Sequence, residues 1–266
     1  MIANADWHTT LITMAILMSR MLVAFSLIPL FVGSVVPIFV RTALVAALAL
    51  CLLPFALSDP HVMQIRGSEM TLFIAKEAGI GLVLGLLAGI GFWAVYTAGV
   101  IIEYQAGLSM AATFDPMTGQ DGSITGQLLL QLFVVLFLIN GGLLCLIGML
   151  FDSYTVWPIS SLSPSIGTAQ LADALISALS ELLWVAIKMA APFVIMMMAI
   201  EIALGFLSRY APQLNVFFVS IPLKVALLAG LLLIYASVAS GSFGELWQRD
   251  VSHLIDRIAG HRHGRG

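Results

Sequence analysis

The sequence predicts an all-α, polytopic integral membrane protein, and three observations carry that prediction. Hydrophobic residues make up 61% of the chain and charged residues only 9%, against about 45–50% and about 25% in soluble domains. The few charges are unevenly spread, and none falls within residues 78–102, 122–151 or 225–244. Each of these stretches reaches the length of about 20 residues that a helix needs to cross the hydrocarbon core. The runs also lack the alternation of a barrel strand. Helices are then the way left to satisfy the backbone in lipid.

Six apolar helical regions follow in order. The first runs from Leu11 to Phe31 and contains Arg20. Its end is set by Pro29, Gly33 and Pro37, since proline removes a backbone donor and clashes with the preceding turn. The second, Thr42 to Leu57, is short. The third, Ile74 to Ile102, carries Lys76 and Glu77 near its start, and the fourth spans Ile124 to Phe151. The fifth, from about Leu171 to Leu207, is too long for one straight crossing, so Pro192 is expected to kink or divide it. The sixth spans Phe217 to Val238. Residues 1–244 therefore read as a single helical membrane domain, and residues 245–266 as a polar tail rich in arginine and histidine.

The tail's Arg249, Arg257, Arg262 and Arg265 place it in the cytoplasm by the positive-inside rule. With six crossings the N-terminus is then cytoplasmic as well. The Arg66 loop falls inside and the Lys- and Arg-free segment from Glu103 to Gln120 outside, while Arg41 and Arg209 count against this scheme. The N-terminus lacks the basic region and small-residue cleavage site of a secretory signal, and Arg20 interrupts its apolar run. Cys51 and Cys145 lie in apolar runs, apart from any CxxC or Cys/His cluster, and read as small packing residues.

Three features could carry function. Gly81, Gly85 and Gly89 stand four apart on one helix face, a spacing that lets two helix backbones approach closely. It fits packing within the chain or against another subunit. Between two apolar helices, the segment holding Gly107, Asp115-Pro116, Gly119 and Gly122 is rich in turn formers. It is either an exterior loop or a non-helical element inside protein or along an aqueous path. Lys188, Glu201, Arg209 and Lys224 sit within or beside the last two apolar regions, where a mid-bilayer charge costs roughly 2.5–3.5 kcal/mol. Such charges pair, snorkel or face a polar cavity. Snorkelling suits Lys224 and Arg209, both near helix ends, and the short Glu201 less well; Glu201 and Lys224, on consecutive regions, are expected to pair or to share a polar pocket.

Catalytic signatures are missing: there is no HExxH, GxSxG, P-loop or GxGxxG opening a βαβ unit. His8 and His61 are isolated, and His253, His261 and His263 lie in the tail, so no metal site and no cofactor is expected. No basic run suits nucleic acid. The sequence therefore reads as a non-enzyme.

Three stretches carry a family resemblance: Gly107-Leu-Ser-Met-Ala-Ala-Thr-Phe-Asp-Pro-Met-Thr-Gly119, Asp152-Ser-Tyr-Thr-Val-Trp-Pro158, and the block from Ala191 to Lys224 with Ser208-Arg-Tyr-Ala-Pro-Gln-Leu-Asn-Val-Phe217. Together they resemble the FliR/SpaR/SctT family of type III secretion export-gate components. Ser153-Tyr-Thr-Val-Trp-Pro158 is more similar to the injectisome branch than to the flagellar one.

The resemblance implies a subunit of the bacterial inner membrane that joins SctR/FliP-like and SctS/FliQ-like partners. Together they form a cone-shaped assembly that opens a path for unfolded protein substrates. It also implies contact with the SctU/FlhB-like switch protein, the inner rod and membrane lipid, with energy supplied elsewhere in the machine. On this reading the segment of Gly107, Asp115, Pro116, Gly119 and Gly122 is a gate element facing the path. Met196, Met197 and Met198 read first as packing residues, and otherwise as flexible side chains able to seal gaps. The competing reading is a secondary transporter or channel for small solutes or ions acting through Lys188, Glu201 and Lys224. Transporters often show internal repeats with paired broken helices, and no convincing repeat is found.

Overall fold

The computed structural model describes residues 7–31, 36–59, 62, 67–108, 122–161, 168–211, 213, 216 and 218–234. Helix α1 spans Trp7–Leu27, α2 Ile38–Leu57, α3 Gly67–Ala106, α4 Ile124–Ile139, α5 Gly142–Val156, α6 Thr168–Tyr210 and α7 Phe218–Ile234. Among the described residues no strand occurs. Helices α1, α2, α3 and α6 are each long and apolar enough to cross a bilayer, and α7 is shorter. Each of the six apolar regions is helical over most of its described residues, as expected.

The first break falls where the prolines predict it. Helix α1 stops at Leu27, a single 3-10 turn covers Pro29–Phe31, and α2 begins directly after Pro37. Phe31 folds back edge-on to Phe25, with ring centroids 4.4 Å apart.

Two boundaries differ from expectation. The apolar run from 124 to 151 is not one helix, because Asn140 and Gly141 form a turn between α4 and α5. Asn140 Nδ2 donates to the Leu136 carbonyl at 2.8 Å. Gly141 adopts φ +74°, which glycine enters without the Cβ penalty. Two residues are too few to lower the hydropathy of a run this long. The division expected at Pro192 is absent, since α6 is helical throughout with the proline inside it. A proline removes one backbone donor, and membrane helices tolerate this where neighbouring groups re-satisfy the freed carbonyl.

The chain packs as two compact units. One comprises the described residues up to Ile90 together with those of 142–179; the other comprises the described residues of 91–141 and those from Ser180 onward. In the first, Ile16, Leu17, Met21 and Phe25 of α1, Val45 and Ala49 of α2, and Leu146 and Leu150 of α5 are fully or almost fully buried. In the second, Phe92 of α3 stands edge-on to Phe133 and Phe137 of α4, with centroids 5.0 and 5.1 Å apart. Edge-to-face pairs of this kind contribute about 0.5–1.5 kcal/mol beyond burial.

Helices α1 and α3 approach closely at two glycines of the stripe. A Cβ on Gly81 would fall on the carbonyl of Arg20, and one on Gly85 would lie 2.7 Å from the carbonyl oxygen of Ala24. Gly89 is buried one turn further along. Gly79, on another face, has nothing within 4 Å of such an atom.

The contrast makes a direct prediction for resistance to heat or to SDS titration. Gly79→Ala should be neutral or stabilise by up to about 1 kcal/mol through helix propensity. Gly81→Ala should destabilise by about 1–3 kcal/mol, because the α1 backbone has to move. Equal responses at the two sites would show that the α1–α3 approach is not what Gly81 provides.

Candidate functional site

The first unit is organised around a buried ion pair. Arg20 of α1 and Glu77 of α3 both have fully buried side chains. Arg20 Nε donates to Glu77 Oε2 at 2.6 Å and Arg20 Nη2 to Glu77 Oε1 at 3.1 Å. This is the two-pronged geometry that a planar guanidinium offers a carboxylate. Glu77, Gly81 and Gly85 share one face of α3 at four-residue spacing, and Arg20 and Ala24 share one face of α1. The glycines let the α1 backbone come close at the turn beside Glu77, which brings Arg20 within reach of it.

The rest of Arg20 is held by the end of α5. Its Nη1 donates to Ser153 Oγ at 3.0 Å and its Nη2 to the Trp157 carbonyl at 3.0 Å. The guanidinium carbon lies 3.9 Å from the centroid of the Tyr154 ring, and Tyr154 Oη donates to the Leu17 carbonyl at 3.0 Å. Lys76 Nζ, 2.8 Å from Glu77 Oε1, donates to the carbonyls of Pro158, Ile159 and Ser161 at 3.0–3.2 Å. Two cations therefore face one carboxylate, and carbonyls at and beyond the α5 C-terminus meet the excess positive charge, as the helix dipole favours. Ser153, Tyr154, Trp157 and Pro158 thus have a common physical role as the cradle of this charge cluster.

The second unit brings α3, α6 and α7 together at a second polar node. Lys224 of α7 pairs with Glu201 of α6 and donates to the Gln105 carbonyl at 3.0 Å. Gln105 Nε2 donates to Glu201 Oε2 at 3.4 Å. Lys224 is 5% exposed, whereas the Glu201 side chain is 46% exposed. The lysine therefore caps the last turn of α3, where carbonyls lack intrahelical partners. Lys188 and Arg209 are exposed and lie outside this node. Met197 is fully buried, with Met196 and Met198 facing outward on either side.

The glycine- and proline-rich segment leaves and re-enters the described structure beside this node. Gly107 closes α3 with φ +80°. The Leu108 amide donates to the Glu103 carbonyl at 3.3 Å and the Gly107 amide to that of Tyr104 at 3.1 Å, the paired bonds of a Schellman C-cap. Ile221 of α7 would stand 3.7 Å from a Cβ at Gly107. Gly122 precedes Ser123, the N-cap of α4. Asp115, Pro116 and Gly119 lie outside the described residues.

The charge cluster at Arg20 was not singled out in the sequence, although its signal was there. A lone arginine in an apolar run requires a partner, and Glu77 stands four residues before Gly81 at the spacing of the stripe. Among the described residues no group of three or more His, Cys, Asp or Glu side chains is placed to hold a metal ion. Cys51 is exposed and Cys145 half-buried, and both are free thiols.

Comparison with known proteins gives a consistent result. Residues 11–249 match the family model described as bacterial export proteins, family 1. The chain is 34% identical over 226 residues to the Yop proteins translocation protein T of Yersinia pestis, covering 85% of this chain and 86% of that protein. It is 27% identical over 263 residues to the surface presentation of antigens protein SpaR of Salmonella typhimurium, covering 94% and 97%. It is 33% identical over 216 residues to the flagellar biosynthetic protein FliR of Bacillus subtilis, covering 80% and 82%.

Burial separates the two ion pairs energetically. Glu77→Gln alone should destabilise by about 3–5 kcal/mol, because Arg20 is left buried without its carboxylate; Arg20→Met should cost less, since Lys76 still faces Glu77, and the double apolar replacement should be milder than Glu77→Gln. Glu201→Gln should cost less than Lys224→Met, since only the lysine is deeply buried. Double-mutant cycles on heat or SDS resistance measure both couplings, expected within about 0.5–3 kcal/mol for contacting residues. Strictly additive losses at either pair would refute its coupling.

Proposed function

The chain belongs to the bacterial export proteins of family 1, and from that premise we propose that it is an export-gate subunit of a type III protein secretion system. It is a multi-pass protein of the bacterial inner membrane, and it helps form the path taken by unfolded secreted proteins. The observation that carries this reading is the family match across residues 11–249. It includes the Gly107–Gly119, Asp152–Pro158 and Ala191–Lys224 stretches on which the resemblance was read.

The injectisome branch is favoured by the likeness to the Yop translocation protein and by Ser153-Tyr-Thr-Val-Trp-Pro158. The described polar groups support a structural role for the chain. Glu201 and Lys224, on which a solute-transporter reading depends, engage each other and the end of α3. The relatives are named for translocation, antigen presentation and flagellar biosynthesis, not for an enzymatic reaction.

The chain associates with other export-gate subunits. We assign its direct partners as the SctR/FliP-like and SctS/FliQ-like subunits, with the SctU/FlhB-like switch protein and the inner rod as further neighbours. Uncovered apolar surface leaves room for partner helices or lipid: only 11% of the most apolar stretch of α2 and 22% of that of α6 is buried within the chain, against 50% for α3. The segment from Gly107 to Gly122 is assigned as the gate element, on its turn-forming residues and its family likeness. The buried or half-buried charges at both nodes then hold helices, and closure of the path falls to this segment.

Two outcomes are expected. Made alone, the chain should give poor yield or aggregate, and co-expression with SctR-like and SctS-like subunits should recover a soluble complex in detergent. A well-behaved monomer with no affinity for either would count strongly against the export-gate reading. Deleting residues 109–121 should leave assembly intact but let small ions leak through the complex. An assembled, tight and fully secreting deletion would reduce the segment to a connector.

A further inference from the structure

Helix α6 has 43 residues, which at 1.5 Å per residue gives a length of about 64 Å. The hydrocarbon core of a bilayer is about 30 Å thick, so only about half of this helix can lie within it. Its exposed side chains show which half. A bilayer laid over the residues before Lys188 would set Asp173 and Glu181, both exposed on α6, against acyl chains.

The stretch after Lys188 has a different chemistry. Of the twenty residues between Lys188 and Arg209, Glu201 alone is charged, and Lys224 engages it on the side of α6 turned toward α7. The outward face carries Ile195, Ile202 and Phe206, all exposed and spaced seven and four residues apart. Lys188 and Arg209 themselves are exposed, and among the described residues neither forms an ion pair or a hydrogen bond. They stand about 32 Å apart along the helix, close to the thickness of the hydrocarbon core. An exposed aromatic ring accompanies each of them, Trp184 one turn before Lys188 and Tyr210 directly after Arg209.

Amphipathic rings of this kind concentrate at the headgroup level on both sides of a bilayer. Long basic side chains at the same level lay their stems on apolar surface and place the charge among the head groups. We infer that the outward face of α6 from Lys188 to Arg209 is a lipid-contacting surface, its two cations bound to phospholipid phosphates on opposite sides of the membrane. Charge complementarity selects lipid as the occupant. Two cations one hydrocarbon thickness apart, with no charge on the face between them, match the two phosphate planes of a bilayer. A partner helix has no reason to repeat that distance. The bilayer midplane then falls near Met198, and Glu181 lies in water two turns beyond Lys188.

The test uses the full chain co-purified with its partner subunits and reconstituted in vesicles of phosphatidylcholine and phosphatidylglycerol, in a Cys51→Ala/Cys145→Ala background. Nitroxides are placed singly on Glu181→Cys, Ile187→Cys, Ile195→Cys, Ile202→Cys and Tyr210→Cys. Each is read for collision with oxygen, which concentrates in hydrocarbon, and with a water-soluble nickel complex. The oxygen-to-nickel ratio should be highest at residues 195 and 202, intermediate at 187 and 210, and lowest at 181. Adding Lys188→Leu removes one anchor and lengthens the apolar run, so the profile should shift by about one turn toward the N-terminus of α6 and raise the ratio at residue 187. Lys188→Arg should leave the profile in place.

A ratio that peaks at residue 181 or stays flat along the helix overturns the inference. Labels at 195 and 202 that are immobilised and shielded from both reagents show a protein partner on this face, and that also overturns it. An unchanged ratio at 187 in Lys188→Leu overturns the anchoring by Lys188. If no complex with partner subunits can be isolated, the partner assignment fails separately, and sealed inner-membrane vesicles carry the test. There Glu181→Cys and Tyr210→Cys should react with an impermeant maleimide from opposite sides and Ile202→Cys from neither; any other pattern overturns the inference.

Discussion

A guanidinium with no exposure to solvent, set within an apolar run, constrains the first unit of this protein more than any other group. Removing such an ion from water costs several kcal/mol even after relaxation, so each of its donors has to be met. Glu77 takes two prongs, Ser153 Oγ and the Trp157 carbonyl take the outer nitrogens, and the Tyr154 ring covers the face. These partners come from α3 and α5, so satisfying one side chain fixes three helices against each other. The close backbone contacts at Gly81 and Gly85 follow from the same requirement, because a Cβ there would hold Arg20 away from Glu77.

The second unit applies the same physics to helix ends. Carbonyls at the α3 C-terminus and amides at the α4 N-terminus lack intrahelical partners, and in an apolar environment an unmet group costs several kcal/mol. Lys224, Ser123, Glu103 and the Gly107 cap meet several of them. The Phe92, Phe133 and Phe137 cluster and the Gly99–Gly126 contact hold α3 and α4 together beneath these caps. These capping groups are therefore directed to helix ends, while long stretches of α2 and α6 stay apolar and uncovered. That division of labour suits a subunit whose work is done in contact with lipid and with other subunits.

Much of this was legible in the sequence. The helical membrane class, the six apolar regions and the breaks at Pro29 and Pro37 follow from composition, run length and the missing proline donor, which are local properties. The family was legible because three stretches keep distinctive residue orders. Glu201 and Lys224 were expected to pair because two opposite charges in consecutive apolar regions have few other options.

Tertiary structure decided the rest, since distance along the chain carries no information about which helix faces meet. Helicity through Pro192 and the turn at Asn140-Gly141 depend on how single backbone groups are satisfied, which hydropathy does not register. Arg20 finds a partner 57 residues away, and a motif that reads as a family signature proves to be the cradle of that pair. Glu103 caps a helix other than its own only because glycines at 99 and 126 bring α3 and α4 into contact. What the sequence determined by itself was which segments avoid water and where the chain must turn. Which buried charge meets which partner was settled only by packing, because the cost of an unpaired polar group in an apolar interior is met by whatever the fold brings near.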